Sequence, residues 1–467
     1  MIEKKLPLRK AEKIELLIDG LSHAGEGVGR YNGMTVFVPF TLPGETVRAE
    51  VAVLKKNYAR ARLIYIIEFS PARKEPVCPR FFRCGGCHLQ HVTYQEQLKF
   101  KTRLVRDSLA RIAGLDEVNV LETAGMEYPW HYRNKAGFHV QECGTGYEMG
   151  FYEEGSHKLA GFFKEVAGLK SGCLLVEKEL NEAAQIIGML LNKHGNKVSL
   201  KGRTDNFIRH VVLRKAFATG EMMALLVTRG GDWPQQKAFA NELLSLWPGF
   251  TSVVRNINEG PPGMILGNKN LILDGRDYIT DRLSNLAFRI SPSSFYQVNP
   301  VQTMLVYRKV LEYAALSGSE TVVDAYSGIG TIALFLAGQA KKVHGIEFVA
   351  RAVEDARQNA SLNKIDHIAF HHGKAEKVLP ALAARSLHPD LTVLDPPRKG
   401  CERKTLEAIS EMKVPRVIYV SCNPGTLARD CRFLTAKGYR VQEVQPVDMF
   451  PWTKHVETVV LMSRVEK

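Results

Sequence analysis

The sequence predicts an α/β protein in which a small antiparallel β-barrel opens the chain and an open, doubly wound, largely parallel sheet closes it. Three observations carry this. Before residue 68, short segments alternate apolar and polar side chains between glycine- and proline-containing turns, the period of half-buried strands. Beyond residue 320, β-branched runs alternate with stretches of helical spacing, the signature of β-α-β units. One junction, Asp324-Ala325-Tyr326-Ser327-Gly328-Ile329-Gly330-Thr331, sets a glycine-containing turn between a strand and a helix.

In the first section, Lys13 to Ile18, Met34 to Pro39, Glu45 to Leu54 and Tyr58 to Ile67 read as strands, with turns at Gly25 to Gly29, Asn32-Gly33 and Pro43-Gly44. Strands this short and this closely spaced predict a small barrel of the oligonucleotide-binding (OB) kind over residues 8–67. Lys55, Lys56, Arg60 and Arg62 gather on one side of it, a pattern that suits a phosphate backbone and equally suits a solvated face.

Residues 68–290 predict a central α+β domain. It carries Cys78-Pro79-Arg80-Phe81-Phe82-Arg83-Cys84-Gly85-Gly86-Cys87, three thiols spaced Cys-x5-Cys-x2-Cys with two glycines that let the chain wrap. A fourth ligand would come from Cys143 or Cys173. Zinc, a disulfide and unrelated thiols are the rival readings. Zinc sites more often present paired Cys-x2-Cys hairpins, and disulfides do not suit a reducing cytosol, so an iron-sulfur cluster is favoured. Gln95 to Ala113 has helical spacing, with Leu98, Val105, Leu109 and Ile112 on one side and Lys99, Lys101, Arg103 and Arg106 expected in solvent. In Tyr132-Arg133-Asn134-Lys135, Arg133 and Lys135 are candidate RNA contacts or plain surface charges.

The catalytic section is predicted over residues 291–467, its sheet beginning near Ile290. Glycine at Gly328 and Gly330 lets backbone approach a ligand, and the helix N-terminus that follows presents free amides. The next strand, Lys342 to Glu347, ends in a carboxylate placed to accept hydrogen bonds from a ribose diol. The glycine pattern lacks the third glycine of dinucleotide binders, which favours S-adenosylmethionine over NAD. Asp390 to Leu394 reads as a buried strand stopped by Asp395-Pro396-Pro397-Arg398. Arg416 to Val420 delivers Ser421-Cys422-Asn423-Pro424 to a strand end, where ligands of open α/β sheets bind, so Cys422 reads as a nucleophile where a core thiol would sit mid-strand. Glu457 opens a final apolar strand, and burial there would raise its pKa toward that of a general base.

Together, Phe295-Tyr296-Gln297-Val298-Asn299, Asp324 to Thr331, Asp395-Pro396-Pro397-Arg398, Ser421-Cys422-Asn423-Pro424 and His455-Val456-Glu457-Thr458 resemble the motifs of the RNA uracil-C5 methyltransferases, which make 5-methyluridine in ribosomal and transfer RNA. The match spans essentially the whole chain. The resemblance implies a Rossmann-like S-adenosylmethionine-dependent methyltransferase domain with Cys422 as nucleophile and Glu457 as base. It places Gln297, Tyr326, Gly328, Glu347 and Asp395 against S-adenosylmethionine, and Phe295 where it could stack on a uracil or fill the core. It implies a TRAM domain for the barrel and a 4Fe-4S cluster held by Cys78, Cys84, Cys87 and Cys173, the last within Gly168-Leu169-Lys170-Ser171-Gly172-Cys173-Leu174. It favours 23S rRNA as substrate ahead of tRNA.

The residue types fit that chemistry. Uracil C5 is a poor nucleophile until a thiolate adds to C6, and a base must later remove the C5 proton so that the thiolate can leave. A basic cleft is expected to favour the Cys422 thiolate. A net charge of +14 over 467 residues points to a polyanionic partner. Met1 to Glu15 is charge-rich and no apolar run reaches membrane-spanning length, so a soluble, cytoplasmic monomer is expected. Two other classes compete. An amino-methyltransferase would carry an aromatic residue where Arg398 stands and would need neither Cys422 nor Glu457, and a non-catalytic RNA-binding factor would not need the full set.

Overall fold

The computed structural model describes residues 7–144, 146–161, 172–195, 206–261 and 263–465. Strands β1 (Lys13–Leu21), β2 (Gly27–Tyr31), β3 (Met34–Val38), β4 (Thr46–Leu54) and β5 (Tyr58–Glu68) close a barrel in the order β1-β2-β3-β5-β4. Closure leaves no open edge, and alternate residues such as Ile14, Leu16, Ile18, Val36, Val38, Val47 and Ala49 fill the interior. The turn predicted from Gly25 to Gly29 is confined to its start, because β2 begins at Gly27. Those glycines mark close approach rather than reversal. A Cβ on Gly27 would collide with Thr41 Oγ1, and one on Gly29 with the Leu17 carbonyl.

Helix α1 (Tyr94–Ser108) runs on as a π-helical turn through Ala113 and ends at Gly114 in the left-handed region. It packs against the C-terminal domain. Lys101, expected in solvent, is fully buried there: its Nζ lies 2.5 Å from Asp448 Oδ1 and donates to the Phe450 carbonyl at 3.1 Å. Tyr94 donates to the other Asp448 oxygen at 2.9 Å.

The central sheet comprises β6 (Lys135–Cys143), β7 (Gly146–Gly150), β8 (Ile208–Lys215), β9 (Met222–Thr228), β10 (Phe250–Ile257) and β11 (Lys269–Gly275), in the order β11-β10-β9-β8-β6-β7. Helices α2 (Lys178–His194) and α3 (Gln236–Leu246) bury one face, which presents Phe138, Val211, Leu213, Ala224 and Leu226. The other face presents Val212, Met223, Leu225 and Val254 to the C-terminal core. The sheet expected to begin near Ile290 begins instead at Thr321. Ile290 closes a separate hairpin of β12 (Ile279–Leu283) and β13 (Leu286–Ile290), followed by α4 (Pro300–Ala314).

The C-terminal sheet contains β14 (Thr321–Asp324), β15 (Lys342–Glu347), β16 (Ile368–His372), β17 (Leu391–Leu394), β18 (Arg416–Ser421), β19 (Tyr439–Val447) and β20 (Glu457–Arg464). Their order is β16-β15-β14-β17-β18-β20-β19, with β20 antiparallel between β18 and β19. Connecting helices are α5 (Thr331–Ala337), α6 (Ala350–Leu362), α7 (Ala375–Ala383), α8 (Arg403–Glu411) and α9 (Pro424–Ala436). Burial on both faces explains the continuous apolar strands: Val322 and Val393 enter one core layer, Val323 and Leu394 the other. The order reverses between β14 and β17, and ligands of such sheets bind beyond the strand ends at that point.

Candidate active site

Five strand termini meet at one edge of the C-terminal sheet. The ends of β14, β15, β17 and β18 present Asp324, Glu347, Asp395 and Cys422. Because β20 runs antiparallel, its first residue, Glu457, lies at the same edge. The register pairs Ser421 with Thr458, and one further step sets Cys422 opposite Glu457. Directly opposed side chains share a face, so thiol and carboxylate are neighbours.

The loop bearing Cys422 is held from below. Asn423 caps α9, its side-chain oxygen accepting from the Gly425 and Thr426 amides, and Pro424 occupies the first helical turn. Asn423 Nδ2 and Thr426 Oγ1 both donate to the Arg398 carbonyl at 3.2 Å, which ties the Asp395-Pro-Pro-Arg loop to the cysteine loop. The thiol faces a cleft of about 920 Å³ between the barrel, α1 and the loops that carry Arg398 and Lys454 to Val456.

Burial first, then the nearby Glu457 and Asp395 charges, raise the Cys422 pKa to about 11 against the opposing charge of Arg398. The sequence-based expectation that a basic cleft would favour the thiolate is therefore corrected: burial, reinforced by the Glu457 and Asp395 charges, outweighs Arg398. Glu457 is 4% exposed, and burial followed by the Asp395 charge holds its pKa well above the usual carboxylate range. Burial raises Asp395 as well.

On the cofactor side, Gly328 and Gly330 both take positive φ, and a Cβ on Gly330 would meet the Phe370 ring at 2.9 Å. A Cβ on Gly328 would enter open space. Glu347 accepts hydrogen bonds from the Gly328 amide at 3.1 Å and the Val349 amide at 2.7 Å. Asp324 Oδ1 accepts from the Tyr326 amide, but Asp324 Oδ2 and Ser327 Oγ are buried without partners among the described residues. Burial, with the Asp395 and Glu347 charges, raises Asp324 to about 7. Unsatisfied polar atoms beside a glycine-lined opening fit a polar, nucleoside-bearing ligand such as S-adenosylmethionine.

Tyr326 divides its roles: its backbone belongs to this loop, while its hydroxyl turns toward Cys401 and Thr405 in the core layer. Gln297 lies on the loop before α4, its carbonyl accepting from Asn134 Nδ2 at 3.0 Å. Phe295 is 67% exposed, so it does not serve the core. Asp324, Arg398, Asn423 and Lys101 were given no role from sequence. The first three stood inside the quoted motifs, whereas Lys101 carried no local signal.

Cys78, Cys84 and Cys87 lie on the segment between β5 and α1, and Cys173 lies shortly before α2. Cys84 feels the charges of Cys173 and Cys78, and Cys87 feels those of Cys173, Cys84 and Cys78. Cys173 shares the surroundings of Cys84 and Cys87, whereas Cys143 stands exposed at the end of β6. Burial raises Cys84 to about 11 and raises Cys87 and Cys173 too. Tyr132, Leu175 and Trp452 pack around Cys87 and Cys173, and Arg133 lies beside both thiols. Gly168 to Ser171 lie outside the described residues. No group of three or more His, Cys, Asp or Glu among the described residues converges at metal-ligating separation. No helix among the described residues is long and apolar enough to cross a membrane.

Comparison with known proteins agrees with this geometry. A family model described as tRNA (Uracil-5-)-methyltransferase matches residues 267–465, and the TRAM domain matches residues 7–64. An uncharacterized RNA methyltransferase of Bacillus cereus is 45% identical over 461 residues, covering 99% of this chain and 98% of that protein. One from Halalkalibacterium halodurans is 43% identical over 463 residues, covering 99% of each. Among solved structures, the Pyrococcus abyssi tRNA (uracil-54, C5)-methyltransferase in complex with S-adenosyl-L-homocysteine superimposes with a TM-score of 0.74 at 28% identity, covering 96% of this chain and 99% of that one. With the strand-end constellation and the TRAM barrel, these similarities place the chain in the RNA uracil-C5 methyltransferase family, as an S-adenosylmethionine-dependent RNA methyltransferase.

Proposed function

We propose that the protein methylates C5 of a uridine in 23S rRNA through a covalent adduct between Cys422 and C6. The observation that carries this reading is the placement of Cys422 and Glu457 one step beyond the Ser421–Thr458 pair of β18 and β20, with the Asp395 charge acting on both. The Cys422 thiol passes its proton to Asp395, which leaves Glu457 unprotonated for the later step, and Sγ adds to C6. The C5–C6 π electrons then move toward C5 and O4 as an enolate. Gln297, Asp324, the Gly328 loop and Glu347 would hold S-adenosylmethionine, which when bound supplies the methyl group to C5 as its S–CH3 bond breaks and S-adenosylhomocysteine is left. Glu457, its pKa raised by burial, removes the C5 proton; the C5–H pair reforms the C5–C6 double bond and expels Sγ as thiolate. Arg398 balances the carboxylate charge and keeps the loop in place.

Cys78, Cys84, Cys87 and Cys173 hold a 4Fe-4S cluster in this reading. The thiols lie within electrostatic reach of one another, and the aromatic shell and the Arg133 charge suit such a group, which when bound would supply a rigid cross-link and no step of the methylation. The barrel grips RNA backbone without reading its sequence. The resemblance to the archaeal tRNA enzyme favours a second substrate, tRNA. Mass analysis of nucleosides from separated rRNA and tRNA of a strain lacking the protein decides: loss of 5-methyluridine from 23S rRNA supports the proposal, loss from tRNA alone shifts it to the second substrate, and unchanged levels in both refute it.

A further inference from the structure

Lys135 and Arg214 face each other in the antiparallel register of β6 and β8, on the sheet face turned toward the C-terminal core. Two cations directly opposed repel, and only Arg214 has an acidic neighbour, Asp355. Lys135 has no hydrogen-bond or ion-pair partner among the described residues. Arg214 is 4% exposed; its Nη2 donates to the Ser294 carbonyl at 2.6 Å, while its Nε is buried with no partner among the described residues. The nearest acid, Asp355, already accepts from the Ser291 and Ser294 hydroxyls and lies 3.5 Å from Arg351. The Arg214 charge and burial lower Lys135 to about 7, as expected of an amine that lacks a counter-ion.

The loop these cations support carries an exposed aromatic ring. Arg214 holds Ser294, and Asn134, the neighbour of Lys135, bonds the Gln297 and Val298 carbonyls at 3.0 and 2.9 Å, so Phe295 is fixed between two anchors with its ring in solvent. Gly137, next on the same face, is exposed, and a Cβ there would meet only Val212 at 3.9 Å. We propose that Lys135 and Arg214 form a cationic cradle for one phosphodiester of the substrate RNA, whose adjoining base stacks on Phe295. A buried arginine opposed by a half-buried lysine is costly unless an anion arrives, and a ring beside a phosphate-binding cation is how proteins hold unpaired RNA. The cofactor carboxylate is the other anion at hand. Most of its contacts lie at the ends of β14 and β15, with Gln297 alone drawn from this loop, whereas this pair belongs to the central sheet and supports the loop at Ser294, next to the exposed Phe295.

The inference rests on the RNA substrate proposed above, so wild-type protein must first bind and methylate an RNA fragment; if it does not, the functional reading fails, not this one. Given that, Lys135→Gln is expected to weaken RNA binding about tenfold, the scale of one charge-assisted hydrogen bond, and to flatten the log-log salt dependence by about 0.7. Lys135→Arg should restore both. Combined with Phe295→Ala, the loss should be less than additive. Lys135→Met should unfold at the same temperature as wild type or higher, because it relieves repulsion. Loss of S-adenosylhomocysteine affinity with unchanged RNA binding would assign the pair to the cofactor carboxylate and overturn the proposal. A lower unfolding temperature, or unchanged affinity for both ligands, would overturn it as well.

Discussion

Replacing Lys101 with methionine should destabilise the protein well beyond an ordinary surface change. Lys101 and Asp448 are both fully buried and 2.5 Å apart, so the substitution leaves a carboxylate without its cation in the core. Breaking such a pair from one side costs about 3–5 kcal/mol. Tyr94 still donates to one Asp448 oxygen, which argues for the lower end, about 3 kcal/mol. At roughly 2–4 °C per kcal/mol for a domain of this size, the unfolding midpoint should fall by about 6–12 °C. Removing both charges with Asp448→Asn should recover at least about 1 kcal/mol, because the stranded charge is the larger part of the cost. Activity should fall further than stability, since Asp448 begins the segment that carries His455 and Glu457 to the site. Thermal unfolding with the double-mutant cycle checks this. A loss under about 1 kcal/mol for Lys101→Met, or no recovery in the double variant, would refute the idea that this pair pins α1 to the catalytic loop.

Two further outcomes follow. Protein purified without oxygen should contain about four irons per chain, and Cys84→Ser should lose them while disturbing folding or RNA binding more than methyl transfer; stoichiometric zinc would contradict the cluster. The pH profile of kcat/KM tests where the Cys422 proton goes. If the raised carboxylates receive it, the rate should rise as that pair loses its shared proton and then level off; a rise continuing toward the thiol's own value of about 11 would show that solvent, not the pair, ionises the sulfur.

Legibility in the sequence followed the range of the interaction. The barrel strands showed because alternation is local, and β14 to β18 showed because apolar runs ending in Gly, Asp-Pro-Pro or Ser-Cys-Asn-Pro are local too. Strand β2 was hidden because Gly27 and Gly29 signal both turning and close packing, and only the contacts with Thr41 and Leu17 distinguish these. Lys101 looked solvated because its partner, Asp448, lies at the far end of the chain. The charge at Cys422 could not be inferred from a net charge of +14, since the facing Glu457 and Asp395 come together only through the β18–β20 register and the parallel β17.

The most direct measurement of the central claim uses Glu457→Gln with substrate RNA and S-adenosylmethionine. The variant keeps Cys422 and the cofactor residues but has no base for the C5 proton, so elimination stalls with Sγ bonded to C6. A protein-RNA adduct stable to denaturant and carrying the transferred methyl group should accumulate, and Cys422→Ala should form none while still binding both ligands. Release of methylated RNA by Glu457→Gln at the wild-type rate, or an adduct with Cys422→Ala, would contradict the assignment of the two residues.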